Sequence, residues 1–458
     1  MALSRARPNV LVFFTDQQRW DTTGVHGNPL GLTPNFDRCA ASGTHVYNSF
    51  TVQPVCAPAR ACLQTGMYAT VHGTFTNAIP LDPSLPTLAS CFGEGGYRTG
   101  YIGKWHLAEQ NTELYDQRPV PTEQRGGYDY WLAANLLEFC SDAYRTTLFD
   151  EHDQRVRLPG YRVDAIADAM IRFLQAHTAE RPFLLFTSFL EPHHQNHSDD
   201  YPAPTGYREM FENRWTPPDL AALGGTAQQH LAGYYGMVKR LDEAFGRVLD
   251  ALRSLDLLDS TVVLFTSDHG CHFRTRNDEY KRSCHESSIR VPTAFIGPGF
   301  DGGGRIDELV DLLDLPPTLL DAAGLPVPDH MQGRSIRGLI GAGTTEWKGE
   351  VLIQVSEAEV GRALRTRRWK YGVTAPDADP LVDAGSSRYR ESCLYDLAAD
   401  PYELKNLIGL PSHAKVAHRL RERLRQRMLE LGEADPEIVV APERPAEDQR
   451  HVFPHELP

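Results

Sequence analysis

The sequence predicts an α/β fold, in which a doubly wound, mostly parallel sheet is followed by a smaller α+β subdomain with a short antiparallel sheet and a helix. Two observations predict the large sheet. Apolar runs typical of buried parallel strands alternate with amphipathic helical patterns, and two of these runs end alike, with an aspartate. The length of 458 residues is a third observation, because it exceeds what one ordinary core holds and predicts a second structural unit.

Three apolar runs predict strands at residues 10–15, 183–189 and 262–266. The first and third run into the segments FFTD and FTSD, so each delivers an aspartate, Asp16 or Asp268, at its carboxyl end. Ligands of open α/β sheets bind at this edge. We therefore expect the two aspartates to meet, although they are far apart in sequence.

Two helical stripes accompany these strands, and core packing is their expected role. Their apolar positions are 163, 166, 167, 170 and 174 in one, and 235, 238, 241, 245, 248 and 252 in the other.

A change of composition near residues 338–350 predicts a domain boundary, with a first domain over 1–345 and a second over 346–433. Within the second, residues 351–355 and 369–373 are predicted strands, and residues 416–431 form a predicted amphipathic helix that ends near Gly432. Residues 434–458 are rich in proline and charge and are predicted to form a tail.

Charge and cysteine content exclude several classes of protein. The formal net charge of −14 argues against nucleic acid as a partner, because phosphate binding needs a basic face. No stretch predicts a membrane span, and the first residues lack the pattern of a signal peptide. The eight cysteines are scattered without a CxxC pair. We therefore expect a cytoplasmic protein with no membrane or nucleic-acid partner.

Each strand-end aspartate is followed by a second potential metal ligand, Gln17 after Asp16 and His269 after Asp268. Carboxylate and amide oxygens suit a hard divalent cation, and an imidazole admits a softer one. A single aspartate at a strand end more simply caps a turn or a helix. Two such pairs leave a divalent-metal site and a capping role as the alternatives.

Positive charge and histidines follow other apolar or turn segments. Lys104 and His106 are two residues apart in a segment expected to be extended. Because successive side chains of such a segment alternate between its two sides, we expect these two on the same side. The run EPHHQNH at 191–197 follows a predicted strand, and YKRSCH at 280–285 follows Asp268. Together these groups can surround an anion. A zinc site of the three histidines in EPHHQNH is the alternative, although their spacing is not of the HExxH type.

The segment PVCAPARACLQTG places the thiol of Cys56 near Arg60. A neighbouring positive charge lowers a thiol pKa, which favours a nucleophile, but the usual histidine base is not placed by the sequence. A buried structural cysteine is the commonest alternative. From the residues alone both interpretations stay open.

The pattern Cys56-x-Pro58-x-Arg60, followed by Thr65-Gly66, resembles the motif of the type I, formylglycine-dependent sulfatases of the alkaline phosphatase superfamily. The resemblance continues over nearly the whole chain. Matching segments are TPNFD at 33–37, GKWH at 103–106, SDHG at 267–270, RVP at 290–292 and the pattern LYDLxxDPxExxNL at 394–407.

This resemblance implies an alkaline-phosphatase-like fold, with the catalytic domain in residues 1–345, and hydrolysis of a sulfate ester. It also implies that a formylglycine-generating enzyme oxidises Cys56 to formylglycine. One hydroxyl of the hydrated aldehyde attacks sulfur, and the second then loses its proton, so that the aldehyde re-forms and sulfate leaves. An unmodified serine or cysteine lacks this exit.

The resemblance also implies a metal site, in which Arg60 would hold the oxygen of the nucleophile. The implied ligands are Asp16, Gln17, Cys56, Asp268 and His269.

A sulfate pocket is implied as well. Lys104 and Lys281 would bind the sulfate oxygens. His106 would help to remove the hydroxyl proton, and His193 would protonate the leaving oxygen, with His194 as the second candidate.

Three departures from the family pattern bear on specificity. Gln17 replaces a common aspartate and His269 an asparagine, which resembles the metal site of choline sulfatases and phosphonate monoester hydrolases. We expect one divalent metal, Ca²⁺, with Mn²⁺ or Mg²⁺ as alternatives. His285 precedes an altered Glu-Ser-Ser at 286–288 and is a candidate for substrate binding. The HHQNH run resembles the members that cleave sugar sulfates.

Three hypotheses result. The first is a sulfatase acting on a small anionic substrate, a sugar sulfate in particular. The second is a phosphonate monoester or phosphodiester hydrolase that uses the same site, and the third is a non-catalytic relative that binds an anion. The proline-rich tail would suit an arm that reaches a second copy, which makes a homo-oligomer the alternative to a monomer.

Overall fold

The computed structural model describes residues 7–110, 118–178, 180–341, 346–445, 452 and 454–457, which form two sheets. The larger sheet has ten strands in the order β10-β2-β9-β8-β1-β7-β3-β4-β5-β6. Its five central strands, from β8 to β4, run parallel to one another. Strands β1 to β10 span Asn9–Thr15, Thr44–Phe50, Arg98–Lys104, Tyr130–Ala134, Thr146–Asp150, Arg155–Leu158, Phe183–Ser188, Thr261–Ser267, Ala294–Ile296 and Gly304–Asp311.

Helices cover both faces of this sheet, so the predicted doubly wound α/β fold is confirmed. Helices α1 to α12 span Pro34–Ser42, Cys56–Thr65, Ala69–His72, Leu88–Glu94, Leu137–Cys140, Arg162–Gln175, Tyr207–Phe211, Pro218–Ala222, Ala227–Ser254, Glu286–Ile289, Leu315–Ala322 and Ala414–Glu430.

The first strand shows how one sequence serves two cores. Every residue of β1 is buried. Val10, Val12 and Phe14 pack into the core under α2, α4 and α11, whereas Leu11 and Phe13 pack into the core under α6 and α9. Successive side chains of a strand point to opposite faces, and a strand buried on both sides is therefore a continuous apolar run. The three predicted strands are confirmed to within one residue at either end.

The smaller sheet confirms the predicted α+β subdomain. Strands β11 to β14 are antiparallel, β15 joins β14 in parallel, and the apolar stripe of α12 is buried in the core of this subdomain. Strands β11 to β15 span Glu350–Val355, Gly361–Thr366, Trp369–Thr374, Arg388–Asp396 and Glu437–Val439.

The predicted boundary at residue 345 borders residues 342–345, which lie outside the described residues, and the division of the chain into domains stays a prediction. The predicted tail, 434–458, is described only in part. Its Glu437–Val439 forms the edge strand β15, and the backbone carbonyl of Glu456 accepts a hydrogen bond from the indole of Trp369 at 3.0 Å. Residues 446–451, 453 and 458 of that segment lie outside the described residues.

Membrane-spanning helices were sought in the described part of the chain. None of its helices is both long and apolar enough to cross a bilayer.

Candidate active site

Two neighbouring strands bring the expected aspartates together. Strands β1 and β8 pair in parallel with Thr15 opposite Ser267, so Asp16 and Asp268 follow at the same edge of the sheet. The backbone N–H of Gln17 donates to the Asp268 carboxylate at 2.9 Å. Both carboxylates are fully buried. A buried pair of negative charges needs compensation by cations.

Helix α2 carries Cys56 to this edge. The helix begins at Cys56, and the backbone N–H of Ala57, unpaired within a first helical turn, donates to the side-chain oxygen of Asn77 at 3.0 Å. The Sγ atom of Cys56 lies 3.3 Å from His269 Nε2 and 3.8 Å from an Asp16 oxygen. The motif thus becomes a helix N-terminus facing the two strand ends, a helix that the sequence alone did not predict.

Four side chains form a cluster with the composition of a metal site. One ligand atom from each of them lies within 4.8 Å of the ligand atoms of the other three. The Nδ1 atom of His269 contacts the carbonyl oxygen of Gly270 at 3.0 Å, which turns Nε2 towards the centre, as in histidines that bind metals. The residues therefore fit a divalent cation. They are Asp16, Cys56, Asp268 and His269.

The pKa values of Asp16 and Asp268 shift in opposite directions. Burial and the charge of Cys56 act to raise the pKa of Asp16, but Lys104, His193 and Arg60 outweigh them and hold this pKa well below its ordinary value. Burial and the neighbouring Asp16 raise the pKa of Asp268 to about 6. Asp16 is thus a carboxylate stabilised by several cationic neighbours, whereas the charge of Asp268 is less well compensated.

Arg60 lies one helical turn beyond Cys56 and reaches the same carboxylates. Its guanidinium donates to Asp16 at 2.9 Å and to Asp268 at 3.4 Å, and it also donates to Ser188 Oγ at 2.6 Å. These contacts make Arg60 the clamp of the aspartate pair. Its predicted hold on the oxygen of the nucleophile stays a prediction.

Lys281 faces the thiol directly. Its Nζ lies 3.0 Å from Cys56 Sγ and 3.1 Å from the side-chain oxygen of Gln17, whose amide nitrogen donates to the hydroxyl of Tyr201 at 3.0 Å. Gln17 thereby joins the centre through Lys281. Although burial opposes it, the charges of Lys104 and Lys281 hold the pKa of Cys56 well below its ordinary value.

Lys104 and His106 do not lie on one side of an extended segment as expected. Strand β3 ends at Lys104, and His106 has a positive φ of 60°, so the alternation stops. Both side chains nevertheless approach the carboxylate of Glu138, whose Oε1 lies 2.9 Å from Lys104 Nζ and 3.9 Å from His106 Nδ1. Lys104 Nζ also donates to Asp16 at 2.8 Å, and His106 is close enough to Cys56 to help lower the pKa of its thiol.

Glu138 is the residue that sequence reasoning missed. It lies on the short apolar helix α5, LEFC, and is buried. Burial would raise the pKa of Glu138, but Lys104, His106 and His193 together lower it, so the group is a carboxylate. A charged residue in so apolar a run was the available signal, since buried glutamates are rare unless paired.

The EPHHQNH run supplies the last wall of the site. His193 is buried, and its ring stacks on that of His194 at 4.3 Å between centroids. The ring of His194 lies 4.5 Å from that of Tyr280. Burial and the charge of Lys281 lower the pKa of His193. The alternative zinc site is not found among the described residues, because the single candidate metal cluster there contains none of these histidines.

His285 has partners in the smaller subdomain. Its ring nitrogens contact Ser283 Oγ and the hydroxyl of Tyr395, each at 3.2 Å. Burial lowers its pKa well below the ordinary value. Its predicted role in substrate binding stays a prediction.

Comparison with known proteins gives a consistent picture. The family model "Sulfatase" matches residues 8–325, and the model "N-sulphoglucosamine sulphohydrolase, C-terminal" matches residues 278–430. The chain is 31% identical over 444 residues to the ulvan-active sulfatase of Formosa agariphila, which covers 93% of this chain and 82% of that protein.

Two solved structures share the fold. One, solved in complex with its substrate D-glucosamine-2-N,6-O-disulfate, has a TM-score of 0.76 and 23% identity, covering 94% of this chain and 99% of that chain. The other, the phosphonate monoester hydrolase of Agrobacterium radiobacter, has a TM-score of 0.71 and 24% identity, covering 93% and 96%.

Proposed function

This chain belongs to the sulfatase family, whose members are sulfuric ester hydrolases, and we propose that it cleaves a sulfate ester carried by a sugar, with a nucleophile made from Cys56. The observation that carries the proposal is the surrounding of one buried thiol by Lys281, His193 and His106, directly beside two strand-end carboxylates. A structural cysteine has no need of such neighbours.

The proposed reaction needs two groups that the unmodified chain does not provide, an oxidised form of Cys56 and a divalent cation. Oxidation of Cys56 by a formylglycine-generating enzyme would supply a hydroxyl nucleophile and a second hydroxyl through which sulfate is released. A divalent cation would supply Lewis-acid polarisation of the reacting oxygens. The residues that would hold it are Asp16, Gln17, Cys56 in its oxidised form, Asp268 and His269. Ca²⁺ is the ion proposed, and Mn²⁺ is the alternative that the His269 nitrogen favours.

The lysines hold the anion. Lys281 already lies 3.0 Å from the atom at position 56, and Lys104 projects into the same centre from the end of β3. Both side chains are buried, so their charges act in a medium of low dielectric constant, where stabilisation of a transition-state charge is strong.

The histidines move the protons. His193 would donate to the leaving oxygen. Its pKa is lowered by burial and by Lys281, and a bound sulfate ester would raise it again because a nearby negative charge favours the imidazolium. His106 would accept the proton of the releasing hydroxyl, while the Glu138 carboxylate, 3.9 Å from its Nδ1, stabilises the charge that forms.

The proposal that the leaving group is a sugar is supported by similar proteins. The 31% identical protein of Formosa agariphila is an ulvan-active sulfatase, and a protein of the same fold was solved in complex with its substrate D-glucosamine-2-N,6-O-disulfate. The HHQNH run agrees with this assignment.

A second candidate function is hydrolysis of a phosphonate monoester or phosphodiester. Gln17 carries it, since a neutral amide in place of the usual aspartate lowers the negative charge around the cation, and a phosphonate monoester hydrolase shares the fold.

Kinetics on a matched panel test the proposal. Purified enzyme is assayed with a sugar sulfate, an aryl sulfate, a phosphodiester and a phosphonate monoester, and kcat/KM is expected to be highest for the sugar sulfate. Preference for the diester by orders of magnitude would establish the second candidate instead. Mass spectrometry of the tryptic peptide that ends at Arg60 accompanies the assay, because the aldehyde form is lighter than the thiol. An active enzyme whose peptide is all thiol contradicts the nucleophile.

The metal and the cellular setting are tested separately. Elemental analysis of the purified protein is expected to find one equivalent of Ca²⁺, and one equivalent of Mn²⁺ would correct the assignment. A cytoplasmic location is proposed because all eight cysteines are free thiols; fractionation of the native host with detection of the protein outside the cytoplasm would overturn it. A homo-oligomer held together by the tail is tested by measuring the mass in solution of the full chain and of a chain without residues 433–458. An unchanged oligomeric state would contradict a role of the tail.

A further inference from the structure

A groove of about 550 Å³ opens at the rim of the large sheet, between α5, the turn that follows it, and strands β5 and β6. We call it the arginine groove and define it by Phe139, Asp142, Tyr144, Arg145, Arg155 and Arg157. Its volume falls within the range of small-ligand sites.

The arginine groove concentrates positive charge on an acidic protein. The whole chain carries 46 basic and 60 acidic residues, whereas the groove has three arginines and one aspartate. Arg155 and Arg157 are both exposed and, being two residues apart on β6, point to the same face. The Arg145 side chain is 84% exposed and pairs with Asp142. Such a local excess of positive charge attracts anions.

Two exposed aromatic rings accompany the arginines. Phe139 is 47% exposed and Tyr144 is 49% exposed. The hydroxyl of Tyr144 is held, because it accepts a hydrogen bond from the backbone N–H of Thr205 at 3.0 Å, and its ring packs at 5.4 Å on that of Tyr161. A fixed, half-exposed ring offers an apolar face to the C–H side of a sugar and a polar tip to its hydroxyls.

The groove shares its wall with the Cys56 centre. Phe139 directly follows Glu138, whose carboxylate contacts Lys104 at 2.9 Å. The side chain of Gln195, two residues after His193, donates to the carbonyl oxygens of Glu138 and Ser141 at 2.6 and 3.0 Å. Asp142 lies 3.5 Å from the exposed ring of His197. The loop that carries His193 and the wall of the groove therefore form one continuous rim.

From this placement we propose that the arginine groove binds a second sugar unit of the substrate, one that carries its own anionic group and is linked to the unit whose sulfate is cleaved. The proposal rests on the proposed function and narrows its substrate to polyanionic saccharides. The second anionic group is a carboxylate, which is planar, or a sulfate ester, which is tetrahedral. Guanidinium groups bind both oxyanions with charge-assisted hydrogen bonds. The rings bind the sugar itself.

The test compares two kinds of substrate. The double variant Arg145→Ala/Arg157→Ala is assayed with a uronate-containing sulfated disaccharide and with 4-nitrophenyl sulfate, which has no second sugar unit and no second anionic group. The ratio of the two kcat/KM values is expected to fall about tenfold, because the variant removes two guanidinium groups that would bind the second anionic group. An unchanged ratio overturns the proposal.

Arg253→Ala is the matched control. Like Arg145 with Asp142, Arg253 is exposed and pairs with an aspartate three residues before it, Asp250. It lies at the end of α9, which leads to the central strand β8 and not to the strands β5 and β6 of the groove. This variant is expected to keep the wild-type ratio. A fall of equal size in the control would mean that general surface charge, and not the groove, attracts the substrate.

Two further arms identify the anion and separate this proposal from the proposed function. Reduction of the uronate carboxyl to an alcohol lowers the ratio of the two kcat/KM values if the carboxylate is the group that the arginines bind. A second sulfate on the reduced sugar restores this ratio if the arginines bind either oxyanion. Calorimetry with the Cys56→Ala protein measures binding without turnover. If wild type cleaves no sulfate but disaccharide binding weakens in the double variant, the proposed function fails and the groove stands. If wild type cleaves the disaccharide and the double variant binds it equally well, the groove fails alone.

Discussion

Helix α2 carries two cysteines with opposite chemistry. Cys56 begins the helix and Cys62 lies near its end, and at about 100° per residue the two thiols point to different sides. Lys104 and Lys281 overcome burial and lower the pKa of Cys56, whereas burial without a compensating cation raises the pKa of Cys62. The nearest partner of Cys62 is His72, at 3.4 Å, and burial lowers the pKa of that histidine to about 3.

The difference teaches that the helix provides position and the neighbours provide reactivity. Both thiols are buried on the same helix, so burial alone does not separate them. What separates them is the set of strand ends and loops that each one faces. We call these two sides of α2 the Cys56 face and the Cys62 face.

The largest expected effect comes from replacing the two cysteines in parallel. Cys56→Ala is expected to lower kcat by roughly four to six orders of magnitude, because it removes the nucleophile. Cys62→Ala is expected to keep kcat and to lower the free energy of unfolding by about 1 kcal/mol, as a small cavity in the core does. Steady-state kinetics and urea unfolding measure both. Loss of activity in a folded Cys62→Ala protein would break the comparison.

Removal of the divalent cation is expected to act on the Cys56 face next. Without it the buried carboxylates of Asp16 and Asp268 repel each other, and Asp268 has a raised pKa of about 6. Activity is expected to be lost after dialysis against a chelator. The free energy of unfolding is expected to fall by about 3–4 kcal/mol, the stabilisation that a ligand at 100 to 1,000 times its Kd provides.

The control for this experiment is the chelator already saturated with Ca²⁺, which should change neither quantity. Activity that survives complete removal of divalent metals, shown by elemental analysis, would contradict the assignment of these residues as ligands.

A smaller effect is expected from Glu138→Gln. The substitution keeps the shape of the side chain but removes the charge that holds Lys104 and stabilises His106. Partners of active groups typically contribute 10- to 100-fold, so kcat is expected to fall by about that factor, with the metal content unchanged. Glu430→Gln, on the exposed side of α12, is the control and should leave kcat as it is. Loss of the metal in Glu138→Gln would show a different role.

The smallest effect concerns the pH dependence of stability on the Cys62 face. The pKa of His72 is about 3 in the folded protein and 6.5 ordinarily, so the folded state excludes its proton. The resulting stabilisation is present above about pH 6.5 and is lost as the pH falls from there towards 3, by at most about 1.4 kcal/mol per pH unit. Urea unfolding at pH 7 and pH 5 measures it, and His72→Gln should reduce the slope. An equal slope in the variant would mean that other groups cause it.

Much of the fold and part of the site followed from the sequence. Short continuous apolar runs are typical of strands buried on both faces, so the central sheet was predictable from the pattern. The adjacency of Asp16 and Asp268 followed from the rule that parallel strands end at one edge. The resemblance of the Cys56 motif pointed to a sulfatase, and family membership confirms it.

The tertiary structure decided what depends on distant neighbours. The pairing of Glu138 with Lys104 joins residues on different elements, and so does the clamp of Arg60 on both aspartates. The positive φ of His106 ends the alternation of side chains that the sequence predicts for an extended segment. A thiol pKa reports charges within a few ångströms, and these come from strands and loops far along the chain. The sequence motif therefore singled out Cys56, whereas only the folded protein shows the lysines that lower the pKa of Cys56 and the burial that raises the pKa of Cys62.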